Sequence, residues 1–550
     1  MSAAGGGGFE ARPRAASHLN HRGDRRIVVI GSGMAATRLV EELVIRGVHA
    51  RDRITVLGDE PVAPYNRILL SAVLEGTHRP EALTLREPGW YADHGIDLRL
   101  GTRVLGVDPE RRDVMMVDGT LVEYDVLVLA TGSIPTLPPI RGLVRMDGTL
   151  HEAVHAFRSL ADCQQLLAAV TATDPSAGAS GEPVNRRAVV VGGGLLGLQV
   201  ARALGARGLD TEIVEGGDHL LHTQLDTAAG RILARDLRRL GVDVYTGARA
   251  VRLSDAALPA GVGTSGPAGA TAGPGVAGGG VGGDVRVLDP LPRHPGRFAL
   301  RLDNGVTLDT DLVVLTAGGR PSTALARGAG LEVRRGIVVD DRLASVTDPA
   351  IHAIGDCAQH DGRVTGFVPP AWEQAGILAG LLADRSGDDG AQTYDGTRIV
   401  ARLRATGLDV AVLGDAAAEI EAGGEVVEVA NPIAGSHRRL VVRDGRIVAA
   451  TLVGDLSRVG LITQHFDRGT VLGPTEPGAL LMPDRPAGAG STVRTLPDDA
   501  EVCACAGVSA GRIRGCSSFE QVRATTRATT GCGGCAGTVR ELLDTTPAHA

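Results

Sequence analysis

From about residue 25 to 385 the chain alternates short runs of β-branched and other apolar residues with longer stretches where apolar positions recur every three or four residues. That alternation predicts strands joined by crossover helices, hence parallel sheets and an α/β class. Twice the same sentence is written. Ile27–Ile30 runs into a Gly-rich turn and then "MAATRLVEELVIRG", and about 160 residues later "AVVV" runs into a second such turn and "LLGLQVARALGARG". Two segments break the pattern, "TATDPSAGASGEP" (171–183) and "PAGVGTSGPAGATAGPGVAGGGVGGD" (259–284). Their Gly, Ala and Pro content supplies no core, so both are expected as flexible surface loops. Residues 1–24 have no apolar h-region and read as a disordered leader.

The two turns carry the chemistry. In the first, Gly31 permits a tight turn, and Gly33 with Met34 and Ala35 lets backbone N–H groups approach a pyrophosphate at the positive end of the helix dipole. Ala36 holds the third fingerprint position, where Ala is tolerated. The next strand, in "RITVLGDE", ends in Asp59 and Glu60, placed to accept hydrogen bonds from a ribose. The second turn has Gly192, Gly194, Leu195 and Gly197 in full G-x-G-x-x-G register, with Glu215 about 20 residues on. A carboxylate there accepts from a free 2′-hydroxyl and repels a 2′-phosphate, favouring NADH over NADPH. Two sites suggest a flavin together with a nicotinamide.

At 550 residues the chain exceeds one ordinary core, so several domains are expected. Net charge is −8, and all 56 basic residues are Arg without a concentrated basic patch, so no nucleic acid is expected as a partner. No apolar run approaches the ~18 residues of a membrane span. The expected location is the cytoplasm, with no membrane association. Seven cysteines occur at 163, 357, 503, 505, 516, 532 and 535, and five of them fall in the last 50 residues, which favours metal over structural disulfides. Cys503-x-Cys505 and Cys532-x-x-Cys535 give four thiolates, enough for a [2Fe-2S] cluster or tetrahedral zinc, and spacing alone leaves both open. Cys163 and Cys357 read as small buried residues, and Cys516 as a free thiol.

With both fingerprints in place, the chain resembles the pyridine-nucleotide-disulfide oxidoreductase superfamily, in which an NAD domain is inserted into an FAD domain. "VLVLATGS", with Ala130, Thr131 and Gly132, and "VVLTAGGRP", with Thr316, Gly318 and Arg320, stand at the expected places. So does "IHAIGDCA", with Gly355 and Asp356. The resemblance implies that Asp356 binds the ribityl hydroxyls of FAD and that Arg67, in "PYNRILLS", contacts the flavin. It implies an FAD-binding domain at 25–150 and 331–388, an NAD(P)-binding domain at 151–330 with a flexible insert at 255–290, and a small α+β interface domain at 389–475. A linker (476–500) and a C-terminal domain (501–545) follow. The reactive dithiol of disulfide reductases is missing, since no Cys precedes Cys163, and electrons need another exit from the flavin. With no Lys in the chain, Ala72 stands where some relatives place an ammonium near flavin N5.

The C-terminal "VCAC", "VSAGRI" and "TTRATTGCGGC" resemble a bacterioferritin-associated-ferredoxin-like (BFD-like) [2Fe-2S] domain. With "GLDVAVLGD" and "RRLVVRDGRIVAATLVGD", they also resemble the large subunit of NAD(P)H nitrite reductases and the electron-transfer subunit of assimilatory nitrate reductases. The resemblance implies an NADH-oxidising FAD reductase relaying electrons through a [2Fe-2S] cluster on Cys503, Cys505, Cys532 and Cys535. No catalytic side chain is assigned, because the cofactors carry the hydride transfer. The expected partner is a molybdenum nitrate reductase catalytic subunit or a siroheme nitrite reductase, with self-association as a homodimer left open. The competing expectations are a ferredoxin- or rubredoxin-type reductase for another acceptor and a non-catalytic NADH/Fe–S redox sensor. Against the family pattern the gap between the cysteine pairs is about five residues short, which truncates the helix after "VSAGRI". The chain also ends where siroheme and [4Fe-4S] domains would follow, so nitrite reduction by this polypeptide alone is not expected.

Overall fold

Ile27, Val28, Val29 and Ile30 are all buried, as a central strand of a parallel sheet covered on both faces requires. In the computed structural model, which describes residues 25–171, 186–256, 297–384, 392–398, 400–405, 407–482, 496–503, 508–526, 528–529 and 535–545, that strand, Arg26–Ile30, lies at the middle of a five-stranded parallel sheet. Arg53–Leu57 and Asp97–Arg99 lie on one side of it. Val126–Leu129 and then Ile351–Ala353 lie on the other. The last strand arrives more than 200 residues after its neighbour, so the chain leaves this sheet and returns to finish it.

The excursion builds a second five-stranded parallel sheet of the same plan. Its order is Val242–Thr246, Asp210–Glu215, Arg187–Val191, Leu312–Leu315 and Val154–Ala156. The α/β class with two Rossmann-like units is therefore borne out. Helix Met34–Ile45 covers the first sheet, and helix Leu195–Ala206 follows the corresponding turn of the second. Three-stranded antiparallel sheets flank both, one built from Val104–Asp108, Asp113–Met116 and Leu121–Glu123, the other from Ala250–Asp255, Phe298–Leu302 and Thr307–Thr310. The expected leader, most of the 171–183 loop and nearly all of the 255–290 insert lie outside the described residues.

A third unit is a five-stranded antiparallel sheet in the order Val400–Ala405, Leu408–Leu413, Arg446–Val453, Ser436–Arg443 and Glu425–Asn431. Helix Val459–Arg468 buries Ile462 and Phe466 in the same core. The first residues of the stretch expected as a linker, 476–500, are helical. Glu476–Leu481 forms a helix whose Leu480 and Leu481 join that core, while buried Arg438 ion-pairs with Asp455 and donates to the Leu481 carbonyl at 2.6 Å. The C-terminal unit pairs Glu501–Cys503 with Val508–Ser509, then continues in helices Ala510–Arg514, Phe519–Thr526 and Ala536–Thr545. The five-residue helix Ala510–Arg514 begins inside "VSAGRI" itself, and the next helix, Phe519–Thr526, is eight residues long. Val508, Ile513, Val522 and Val539 pack with Cys503 and Cys535 in its core.

Candidate functional site

Each Gly-rich turn ends in a 12-residue helix whose N-cap is a glycine, Gly33 or Gly194, with no side-chain cap and no acidic residue in the first turn. The leading N–H groups are thus left for an anion. The glycines divide the work. Gly31 has φ +113°, and a Cβ there would stand 2.2 Å from the Ala130 carbonyl oxygen. A Cβ on Gly33 or Gly194 would meet no protein atom within 4 Å, so the space beside them is free for a ligand. Gly197 serves helix–strand contact, since a Cβ would fall 1.8 Å from the Gly192 oxygen. Ala36, buried and packed in the first core, does the corresponding job in the first turn.

The first turn opens into a cavity of about 1410 Å³, large enough for a dinucleotide with room to spare. Gly31, Gly33, Met34, Ala35, Asp59, Arg67, Ala130, Thr131, Gly132, Gly355 and Asp356 all line it. Gly192, Gly194, Gly197, Glu215 and Gly318 do not, but Leu195, Leu196 and Gln199 of the second helix do, so the second fingerprint faces the cavity through its helix. The far wall includes Arg398 and Arg402 of the antiparallel unit, and Val502, Cys503 and Cys535 of the C-terminal unit. Residues from all four units therefore meet on one space.

A line of hydrogen bonds runs along this wall. Glu60 ion-pairs with Arg67 and accepts from the Tyr65 hydroxyl at 2.8 Å, and that hydroxyl in turn accepts from the Leu160 N–H at 2.8 Å. Of the two acids after the second strand, Glu60 is thus engaged by protein groups, and exposed Asp59 is the one on the cavity. Arg67 also donates to the Arg158 carbonyl at 3.4 Å. Arg158 donates to Asp356 Oδ2 at 2.7 Å, and Ser133 Oγ donates to the same oxygen at 2.8 Å. Sequence reasoning missed Arg158 and Ser133. The available signal was that Arg158 lies two residues beyond the end of strand Val154–Ala156, at the carboxyl edge of a parallel sheet where ligands bind.

In the second turn the Glu215 carboxylate accepts from the Gly193 N–H at 2.7 Å and the Gly217 N–H at 2.6 Å, with His222 Nδ1 3.3 Å away. It is 11% exposed and fixed in place at the strand end. Cys357 is fully buried, and its thiol donates to the Leu129 and Ile354 carbonyls at 3.3 Å. Burial pushes its thiol up and pushes that of Cys163 up to about 11, which keeps both protonated and unreactive. Cys503 and Cys535 differ, since both line the cavity and Cys535 Sγ accepts from the Thr529 N–H at 3.2 Å. Cys505 and Cys532 lie outside the described residues. Among the described residues no helix is long and apolar enough to cross a membrane.

Comparison with known proteins agrees with this geometry. Residues 25–268 and 288–375 match the pyridine nucleotide-disulphide oxidoreductase family, and residues 501–545 match the BFD-like [2Fe-2S] binding domain. The chain is 32% identical over 534 residues to the NAD(P)H nitrite reductase of Bacillus subtilis, covering 95% of this chain and 58% of that protein. It is 28% identical over 525 residues to the assimilatory nitrate reductase electron transfer subunit of the same organism, covering 94% of this chain and 59% of that protein. The chain thus spans little more than half the length of these relatives. Among solved structures, the covalent putidaredoxin reductase–putidaredoxin complex is similar in fold, with TM-score 0.64 and 24% identity over 83% of this chain and 95% of that one.

Proposed function

The chain belongs to the pyridine nucleotide-disulphide oxidoreductase family, and on that premise we propose that it passes electrons from NAD(P)H by way of FAD and a [2Fe-2S] cluster to a separate nitrate- or nitrite-reducing enzyme. The observation that carries this reading is the shared cavity. The first dinucleotide turn, the second fingerprint helix and two cysteines of the BFD-like domain all line it. When bound, FAD converts one hydride transfer into two single-electron transfers, and the cluster carries those electrons singly.

The chain's own residues bind and orient. The uncapped N–H groups after Gly33 and Gly194 hold two pyrophosphates, and the space beside each glycine fits that role. Asp356, fixed by Ser133 and Arg158, and Arg67, fixed by Glu60, present hydrogen-bonding groups to the flavin. Asp59 is the remaining acceptor for a ribose on the cavity. Thr131 donates to the Ser322 carbonyl at 2.7 Å and so ties the first unit to the end of the second beside Gly132. Gly318 and Thr316 close the second turn, where the Thr316 hydroxyl donates to the Gly192 carbonyl at 3.0 Å. The immobilised Glu215 supports a preference for NADH. Cys503 and Cys535, together with Cys505 and Cys532, are the assigned cluster ligands, and the N–H donor on Cys535 suits a thiolate.

The reading places the molybdenum-containing nitrate reductase subunit first among partners and a siroheme nitrite reductase second, in keeping with the names of the relatives it matches. It also places the chain in the cytoplasm, where NADH is supplied. The test is anaerobic mixing of the purified holoprotein with NADH, followed by absorbance and by electron paramagnetic resonance. Wild type is expected to bleach its flavin and then develop a reduced-cluster signal. Cys503→Ser is expected to keep the bleaching and lose both the signal and electron delivery to the acceptor enzyme. A flavin left oxidised under excess NADH would sink the reductase reading in favour of a redox sensor.

A further inference from the structure

Away from the cavity, the start of helix Thr227–Arg239 meets the outer strands of the antiparallel sheet, and there Asp226, Glu428 and His437 converge with their ligand atoms within 4.8 Å of one another. Asp226 caps the helix through Oδ1, which accepts from the Ala229 N–H at 3.0 Å. Its Oδ2 lies 3.5 Å from His437 Nε2, and Glu428 Oε1 lies 3.3 Å from the same nitrogen. His437 is 0% exposed, and neither ring nitrogen makes a hydrogen bond. A buried imidazole thus points its Nε2 between two carboxylates without bonding to either.

The distances have a simple reading. They exceed the roughly 2.7–3.2 Å of an N–H···O hydrogen bond. They match the edge of a coordination tetrahedron, since zinc–nitrogen and zinc–oxygen lengths of about 2.0–2.15 Å give ligand separations of about 3.3–3.5 Å. Charge points the same way. Arg439, paired across the ladder from Glu428, lies 3.2 Å from Asp226 Oδ2 and 3.9 Å from Glu428 Oε2. One guanidinium against two carboxylates leaves the cluster with more acidic than basic side chains from Asp226, Glu428 and Arg439. Glu428 is 39% exposed, which gives solvent a way in and a water the fourth position.

We infer that Asp226, Glu428 and His437 form a divalent transition-metal site, zinc being the ion that an imidazole, two carboxylates and an open position suit. Its place joins the helix of the second Rossmann unit to the antiparallel unit, so the ion acts as a clip between them and takes no part in electron transfer.

The test titrates the chelator-dialysed, cofactor-loaded full chain with zinc chloride by calorimetry. One equivalent is expected to bind, and His437→Gln and Glu428→Gln are each expected to weaken it by at least the ~10–100-fold that loss of even an outer-sphere partner costs. Glu428→Gln, at a partly exposed strand position, keeps the test open if His437→Gln does not fold. Arg439→Gln is expected to tighten zinc binding, because a competing cation is gone. Cobalt(II) in place of zinc is expected to show weak d–d bands without thiolate charge transfer, which separates this site from the cysteines. Absence of binding, binding unchanged in both ligand variants, or a thiolate band on the cobalt would each overturn the site and leave the cluster as an ion-pair network.

Discussion

Gly31 and Gly33 sit two residues apart in one turn, yet they answer to different neighbours. At Gly31 the neighbour is the protein, since φ is +113° and the Ala130 oxygen would be 2.2 Å from an added Cβ. Gly31→Ala is expected to destabilise even the cofactor-free chain by about 1–3 kcal/mol, the usual range for overpacking. At Gly33 the neighbour is the ligand, because nothing of the protein lies within 4 Å. Gly33→Ala is expected to leave the unfolding temperature of the flavin-free chain nearly unchanged, within about 0.5 kcal/mol of stability, while lowering the flavin-to-protein ratio after reconstitution. Thermal unfolding and absorbance of the same two variants check both statements. If Gly33→Ala lost as much stability as Gly31→Ala, the free space beside Gly33 would not be a ligand's.

Two elements carry polar groups whose surroundings set a measurable response. Strand Ile351–Ala353 completes the first sheet with His352 buried and its Nδ1 without a hydrogen bond. Burial holds the His352 imidazole below its ordinary value. A histidine kept neutral in the fold contributes stability that is fully present above its unfolded pKa of about 6.5 and is lost as the pH falls toward the lower folded value. The unfolding free energy is therefore expected to decline from pH 7 to pH 5, with a slope of at most ~1.4 kcal/mol per unit from this group, read as a falling unfolding temperature. His352→Leu is expected to flatten that decline, and an unaltered slope would place the acid sensitivity elsewhere. In the antiparallel unit Arg438 is 5% exposed and holds both Asp455 and the Leu481 carbonyl. Arg438→Met is expected to cost roughly 1.5–3 kcal/mol, the scale of a hydrogen bond to a charged group. Denaturant unfolding measures that loss, and proteolysis is expected to begin near helix Glu476–Leu481.

At the scale of the whole molecule, one cavity collects residues from four units, and the cysteine unit forms part of its wall. Stripping the cluster iron from the holoprotein with a thiol-reactive mercurial is thus expected to leave flavin bleaching by NADH intact and to abolish delivery to the acceptor enzyme. Stopped-flow absorbance and acceptor turnover check the two halves of that statement, and bleaching lost with the iron would place the cluster before the flavin. Much of this was legible in the chain because it depends on local rules. A G-x-G-x-x-G turn needs its glycines wherever it stands, so Gly31, Gly192 and Gly197 announced themselves together with the α/β alternation. The paired cysteine spacing and the missing flavin-side dithiol were equally visible. What depends on partners distant in sequence was not. Arg158 meets Asp356 across 198 residues, and His437 meets Asp226 across the boundary between two units. Helix Glu476–Leu481 read as linker because its apolar residues find their core only once the antiparallel sheet has formed. The sequence by itself determined the turns and the class of fold, because each is encoded in spacings of a few residues, while the paired cysteine spacing left a cluster and zinc both open. Only the tertiary structure decided which of Glu60 and Asp59 faces the cavity and brought Cys503 and Cys535 to it beside the dinucleotide turn, because those outcomes are set by packing between segments the chain keeps far apart.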